Sequence, residues 1–166
     1  EYIFDASGSL TADQQTILDT RCSWLKDDGM NVIMDIESSS SSALADQSQI
    51  ADSRAAGLSG RNGVVFVIDT VTHESTLRAY GTAETLFTPN NRAAQISGIA
   101  AAELADNDLY RACQSVIYNI DGLVNGGCEP EQVDYFRPSV VDNAGYLNDE
   151  AAQSLTARKP ARNTIK

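Results

Sequence analysis

The run "VVFVID", Val64 to Asp69, narrows most what this chain can fold into. Five apolar residues, four of them β-branched, stand together with no polar alternation before the closing aspartate. A strand of that composition buries both faces, which is the habit of a parallel sheet covered by helices on two sides. The turn-rich "GLSGRNG" leads into it. After it "TVTHES" turns the chain back and "TLRAYG" returns as an antiparallel partner.

The rest of the chain supplies the elements such a sheet needs. In "MNVIMDIE", Val32, Met34 and Ile36 alternate with Ile33, Asp35 and Glu37, which reads as a strand. Thr11 is a good N-cap, and Ile17, Leu18, Arg21, Trp24 and Leu25 keep helical spacing up to Asp27-Asp28-Gly29. The serine run Ser38–Ser42 reads as a loop and helix entry, and Leu44, Ala51 and Ala55 predict a weakly apolar helix over about 43–56. Ile96, Ile99, Ala100 and Leu104 share one helical face. Leu109, Cys113, Val116, Ile117, Ile120 and Val124 form the stripe of another, stopped at Gly126-Gly127. Strands alternating with helices predict an α/β fold: a three-layer α/β/α sandwich, mainly parallel, with one antiparallel strand and helices on both faces.

This domain is complete over residues 1–125. Residues 126–138, "GGCEPEQVDYFRP", read as a linker with two prolines and no periodicity. Beyond it "SVVDNAGYLNDEAAQSL", Ser139 to Leu155, repeats the pattern of "YIFDASGSLTADQQTIL", Tyr2 to Leu18, with Asp142 on Asp5, Gly145 on Gly8 and Leu147 on Leu10. Residues 139–166 are therefore expected to be the truncated start of a second unit of the same kind.

A net charge of −11 and a pI near 4.3 repel phosphate backbones and anionic lipid, so nucleic acid is not an expected partner. No apolar run approaches the roughly 18 residues of a spanning helix. The sequence opens at Glu1 with no charged-then-apolar leader, and is read as an excised or processed piece. Cys22, Cys113 and Cys128 lack metal spacing. Free, buried thiols are expected at Cys22 and Cys113; a Cys113–Cys128 bridge needs the last helix to end early, and pairing of either of these with Cys22 is left open. Neither a Gly-rich nucleotide loop nor a GxSxG, HExxH, CxxC or EF-hand pattern occurs.

"IFDASGSLTADQ", with an apolar pair, Asp, a small-residue turn with Gly, Leu and a polar helix start, resembles the opening of the TPM domain, also called TPM phosphatase. The likeness continues through Ala51-Asp52, Gly60-Arg61-Asn62-Gly63-Val64, Gly81-Thr82-Ala83, Phe87-Thr88, and Leu104 through Asp108 to Tyr110. It covers about residues 2–125, and its order and spacing are more specific than any one part. The resemblance, to the type common in Gram-positive bacteria, implies an α/β/α sandwich in an extracytoplasmic domain of a membrane-tethered protein. It also implies frequent binding of Ca2+ or Mg2+, and for some members an acid phosphatase activity.

By that resemblance the candidate catalytic residues are Asp5 and Glu84, and the candidate metal ligands are Asp5, Asp52, Asn62 and Asp69. Each has a plainer role available: Asp5 and Asp69 as turn carboxylates, Glu84 as a helix-start acid, Asp52 as an exposed helix residue. His73 lies in the "DTVTHES" turn with no nucleophile motif aimed at it. The chain departs from the family where an acidic position holds Arg61, where Phe-Thr-Asp reads Phe87-Thr88-Pro89, and where Ser53, Arg54, Ala55 and Ala56 follow Ala-Asp. A guanidinium where a hard cation needs a carboxylate weakens that site. The favoured expectation is a non-catalytic binding or assembly module with an unknown protein or small phosphate-containing partner. The alternative is a divalent-metal-dependent phosphatase of phosphomonoesters, in which the metal would polarise a phosphoryl oxygen.

Overall fold

The computed structural model describes residues 1–39 and 47–132. The serine residues at 40–42, the start of the helix expected over 43–56, and the repeat at 139–166 lie outside the described residues. A compact unit spans Glu1–Glu131, and a second runs Gln132–Lys166.

Four strands make one sheet in the order β1 (Ile3–Asp5), β2 (Val32–Glu37), β3 (Gly63–Asp69), β4 (Ser75–Tyr80). The first three are parallel and β4 returns antiparallel to β3, as the "VVFVID" run and its hairpin predict. Every residue of β3 is buried. The register builds a row of apolar side chains across the sheet, Ile3 beside Met34, Met34 beside Phe66, and Phe66 beside Leu77.

That row belongs to the larger of two cores, where the even-numbered residues of β2 and β3 meet three helices. Helix α1 (Ala12–Asp27) contributes Leu18, Cys22 and Leu25. Helix α4 (Arg92–Ala105) contributes Ile96, Ala100 and Leu104, and α5 (Leu109–Asp121) contributes Cys113, Val116, Ile117 and Ile120. The opposite face carries Ile33, Val65 and Val67 under α2 (Gln47–Ala55), whose Ala51 and Ala55 allow close approach. A short α3 (Glu84–Phe87) inserts the fully buried Phe87 into the first core. Helices therefore cover both faces of a mainly parallel sheet.

Local chemistry explains the boundaries. Thr11 accepts a hydrogen bond from Gln14 N while the Gln14 side chain accepts from Thr11 N, a complete capping box for α1. Asp108 accepts from Arg111 N and starts α5. The last helix runs on past Asp121 as a wider turn over Gly122–Gly126 before Gly127 adopts a left-handed backbone, φ 62°. The stripe residue Val124 thus sits in that turn and packs against the core from it. Residues just past Asn125 hold to the domain. Cys128 N donates to Gly122 O, Glu129 pairs with Arg92 at 2.6 Å, and Glu131 N donates to Asn119 Oδ1.

All three cysteines are free, Cys22 and Cys113 buried and Cys128 exposed. Burial pushes the Cys22 thiol up to about 12 and raises that of Cys113 as well, so both behave as small apolar residues.

Candidate functional site

In open α/β sheets the parallel strands deliver their polar ends to one edge, where sites are built. Here β1, β2 and β3 end in Asp5, Glu37 and Asp69. The three carboxyl groups meet different fates.

Asp5 is absorbed by the turn that follows it. Its Oδ1 accepts from Ser7 N at 3.0 Å, from the Ser7 hydroxyl and from Gly8 N at 3.1 Å, and its Oδ2 accepts from Leu10 N at 3.0 Å. Gly8 is required there because the backbone turns through a positive φ of 68°. Asp69 does similar work: Oδ1 accepts from Val71 N and Thr72 N, and Oδ2 from Ser39 N at 3.3 Å.

The other residues singled out by resemblance lie apart from these turns. Asn62 Oδ1 accepts from Thr82 N at 2.8 Å and sits where a Cβ on Gly81 would be, so a side chain there would displace it. The Gly-x-Ala segment and the Asn-Gly loop are thus latched to each other. Asp52 accepts from the Tyr80 hydroxyl at 2.6 Å with Arg78 at 3.6 Å, on the exposed side of α2. Burial, then the bond to Asp52, raise the Tyr80 phenol to about 12. Glu84 is exposed at the start of α3, and His73 is exposed in the hairpin turn with φ 64°. Among the described residues no group of three or more His, Cys, Asp or Glu is placed to hold a metal ion.

A cavity of about 630 Å³ opens beside the ends of β2 and β3, lined among others by Glu37, Gln47, Asp69, Glu74, Thr76 and Ala101. Gln47 frames it, donating from Nε2 to Glu74 O and accepting the Thr76 hydroxyl on Oε1. Behind Glu37, on the same face of β2, lies Asp35, only 2% exposed. It sits in register between Phe4 and Val67. Arg54 of α2 donates from Nε to Asp35 Oδ2 at 2.6 Å, with its guanidinium 3.8 Å from the Phe4 ring centroid. Asp35 Oδ1 is buried without a protein donor.

Glu37 follows Asp35 by two residues on the same face of the strand. A hydrogen bond to Asp35 is the largest of the effects that push the Glu37 carboxyl up to about 7; burial and the charges of Asp35 and Asp69 add to it, and Arg54 opposes it. The guanidinium of Arg54 is the counter-charge beside these two carboxyl groups. Sequence reading missed this group although its signal is present. Asp35 and Glu37 are two apart in a strand and so share a face, and Asp35 interrupts a segment otherwise apolar on both faces. Arg54 stood out only as a departure from a family pattern.

Three solved structures share this architecture. One is the N-terminal domain of a protein from P. gingivalis, at a TM-score of 0.60 and 13% identity, covering 80% of this chain and 88% of that one. Another is the N-terminal domain of cg2496 from Corynebacterium glutamicum, at 0.59 and 10% identity, covering 81% and 86%. The third is BA42 from the psychrophilic bacterium Bizionia argentinensis, at 0.58 and 10% identity, covering 78% and 92%. At such identities the likeness is one of fold. No family model matches the sequence, and no curated protein matches it. Among the described residues no helix is long and apolar enough to cross a membrane.

Proposed function

We propose that this chain is a divergent TPM-type domain of an extracytoplasmic, membrane-linked bacterial protein, acting as a non-catalytic binding or assembly module. The observation that carries the reading is Asp5. Both of its oxygens are taken by three backbone N–H groups and a hydroxyl of its own turn, which leaves the strongest metal candidate committed to the fold. A hard divalent cation needs several oxygens converging from different loops. Asp52, Asn62 and Asp69 are instead engaged with Tyr80, Thr82 and the hairpin turn respectively. Arg61 and Pro89 stand where the resemblance expects further carboxylates. These residues do not fit Ca2+ or Mg2+, so no catalytic step is derived through either.

A thermal melt with and without excess calcium or magnesium, paired with a p-nitrophenyl phosphate assay, tests this. A ligand that binds the native state alone must raise the melting temperature. The expected result is an unchanged melt and no turnover. A metal-dependent rise that Asp5→Asn abolishes, or measurable hydrolysis, would replace the module with the metal-dependent phosphatase.

A further inference from the structure

The sheet has two edges, and they are finished differently. β1 is three residues long, and its brevity blunts that edge. β4 runs six residues, Ser75–Tyr80, without proline, glycine or a break in register. Asp69 N donates to Glu74 O, and the alternation of an antiparallel pair then turns the backbone groups of Thr76, Arg78 and Tyr80 toward β3. Those of Ser75, Leu77 and Ala79 point the other way, and among the described residues nothing bonds to them. Such a row of N–H and C=O groups is a template for a further strand. The side chains of Ser75, Leu77 and Ala79 lie on the α4 face of the sheet, where the Ser75 hydroxyl donates to Ser97 O at 2.6 Å. One flank of α4 is turned to α5, with Glu103 at 3.5 Å from Arg111. The opposite flank carries the small residues Ala94, Ala101 and Ala105, and Ala101 lines the same cavity as Ser75 and Thr76. On the α2 face, Asp52 takes the Tyr80 hydroxyl and answers the charge of Arg78.

We infer that the β4 edge binds an extended peptide segment of another protein, which adds to the four-stranded sheet as a further, antiparallel strand and carries a basic residue at each end. The inference rests on the reading of the domain as a binding module and names the kind of partner it takes. Main-chain hydrogen bonds to Ser75, Leu77 and Ala79 would hold the segment, and alternate side chains would select it. Those directly opposite these three residues share their face, beside the small-residue flank of α4, and suit apolar groups. Charge complementarity fixes the ends. Arg78, the one charged residue of the strand, already has Asp52, whereas Glu74 just before β4 and Glu84 shortly after it are exposed and have no cation among the described residues. A second copy of this chain fits less well, because each copy carries a net charge of −11 and the two repel.

The probe is the peptide acetyl-Lys-Val-Thr-Val-Thr-Val-Lys-amide, titrated into the full chain by NMR with amide hydrogen exchange as the readout. Its valines fall opposite Ser75, Leu77 and Ala79, and its lysines opposite Glu74 and Tyr80. Exchange at the Leu77 and Ala79 amides should slow by about tenfold or more when the peptide binds, while Thr76 and Arg78, already bonded to β3, change little. N-methylation of the three valines removes the N–H groups that face β4 and should abolish binding, whereas N-methylation of the two threonines should leave it. An analogue with glutamate in place of both lysines should bind about tenfold more weakly, or worse. Ala79→Pro deletes one outward N–H without touching the bonds to β3 and should weaken binding. If that variant folds poorly, the methylated pair on the unmutated protein gives the same answer. No binding at millimolar peptide, binding that survives both methylations, or equal binding of the acidic analogue would overturn the inference. Sedimentation of the free chain as a dimer with Leu77 and Ala79 already protected would overturn it in favour of a second copy. Phosphatase turnover would overturn the module reading while leaving the peptide titration intact, so the two failures are separable.

Discussion

Asp5 and Glu37 end neighbouring parallel strands on the same edge of one sheet, yet the fold treats them oppositely. The Asp5 carboxylate is satisfied locally, by N–H groups within five residues of it in sequence. Glu37 instead feels other charges: Asp35 two residues before it on its own strand, Asp69 on β3 and the Arg54 guanidinium of α2. A carboxylate wrapped in backbone donors has its acceptor capacity filled and fixes a turn. One beside another acid holds its proton to higher pH than usual. Residue type and strand position alone do not separate the two.

The largest expected effect lies on the side of Asp35 and Glu37. Arg54→Met removes the counter-charge from Asp35, whose side chain is 3% exposed, and should cost about 3 kcal/mol by urea unfolding. A loss under about 1 kcal/mol would mean that the buried acid does not depend on Arg54. Next, Asp5→Ala leaves the donors of the first turn unpaired and should cost about 2 kcal/mol by urea unfolding, with the Glu37 carboxyl carbon-13 titration unchanged. If that variant also moved the Glu37 titration, the two carboxyl groups would belong to one site.

The smallest effect is one of slope. The Glu37 carboxyl lies at about 7 in the folded chain against an ordinary 4.5. Between those values the folded state binds more protons than the unfolded, so this group's contribution is fully present below 4.5 and is lost as pH rises through 7. Subtracting the Glu37→Gln stability profile from that of the unmutated protein should isolate a decline across that window. A flat difference would mean that Asp35 does not raise the Glu37 carboxyl.

Much of the first carboxylate's environment is legible in the sequence because it is local. "FDASGSL" contains the acceptor, the glycine and the donors, and Thr11 with Gln14 announces the helix start that follows. Asn62 was legible only in part. The Asn-Gly step marks a turn, but its partner Thr82 lies 20 residues away, and only the antiparallel return of β4 brings them together. The Asp35–Glu37–Arg54 group was the least legible, since its strand residues share a face by simple alternation while Arg54 reaches it only through the packing of α2.

The sequence alone determined that this is a helix-covered, mainly parallel sheet, since a run such as "VVFVID" must be shielded from water on both faces. It also determined the antiparallel return, through the turn chemistry between β3 and β4. Only the tertiary structure decided which helix covers which face. The connections β1 to β2 and β2 to β3 step the same way across the sheet, yet α1 and α2 lie on opposite faces. The two crossovers therefore have opposite hands, against the strong right-handed preference that would have placed both helices together. Because α2 is the helix that covers this face among the described residues, Arg54 comes down over Phe4 and Asp35, and a buried acid meets a cation that makes its burial tolerable. Strand periodicity cannot encode that meeting, because it depends on the face chosen by a helix from another part of the chain.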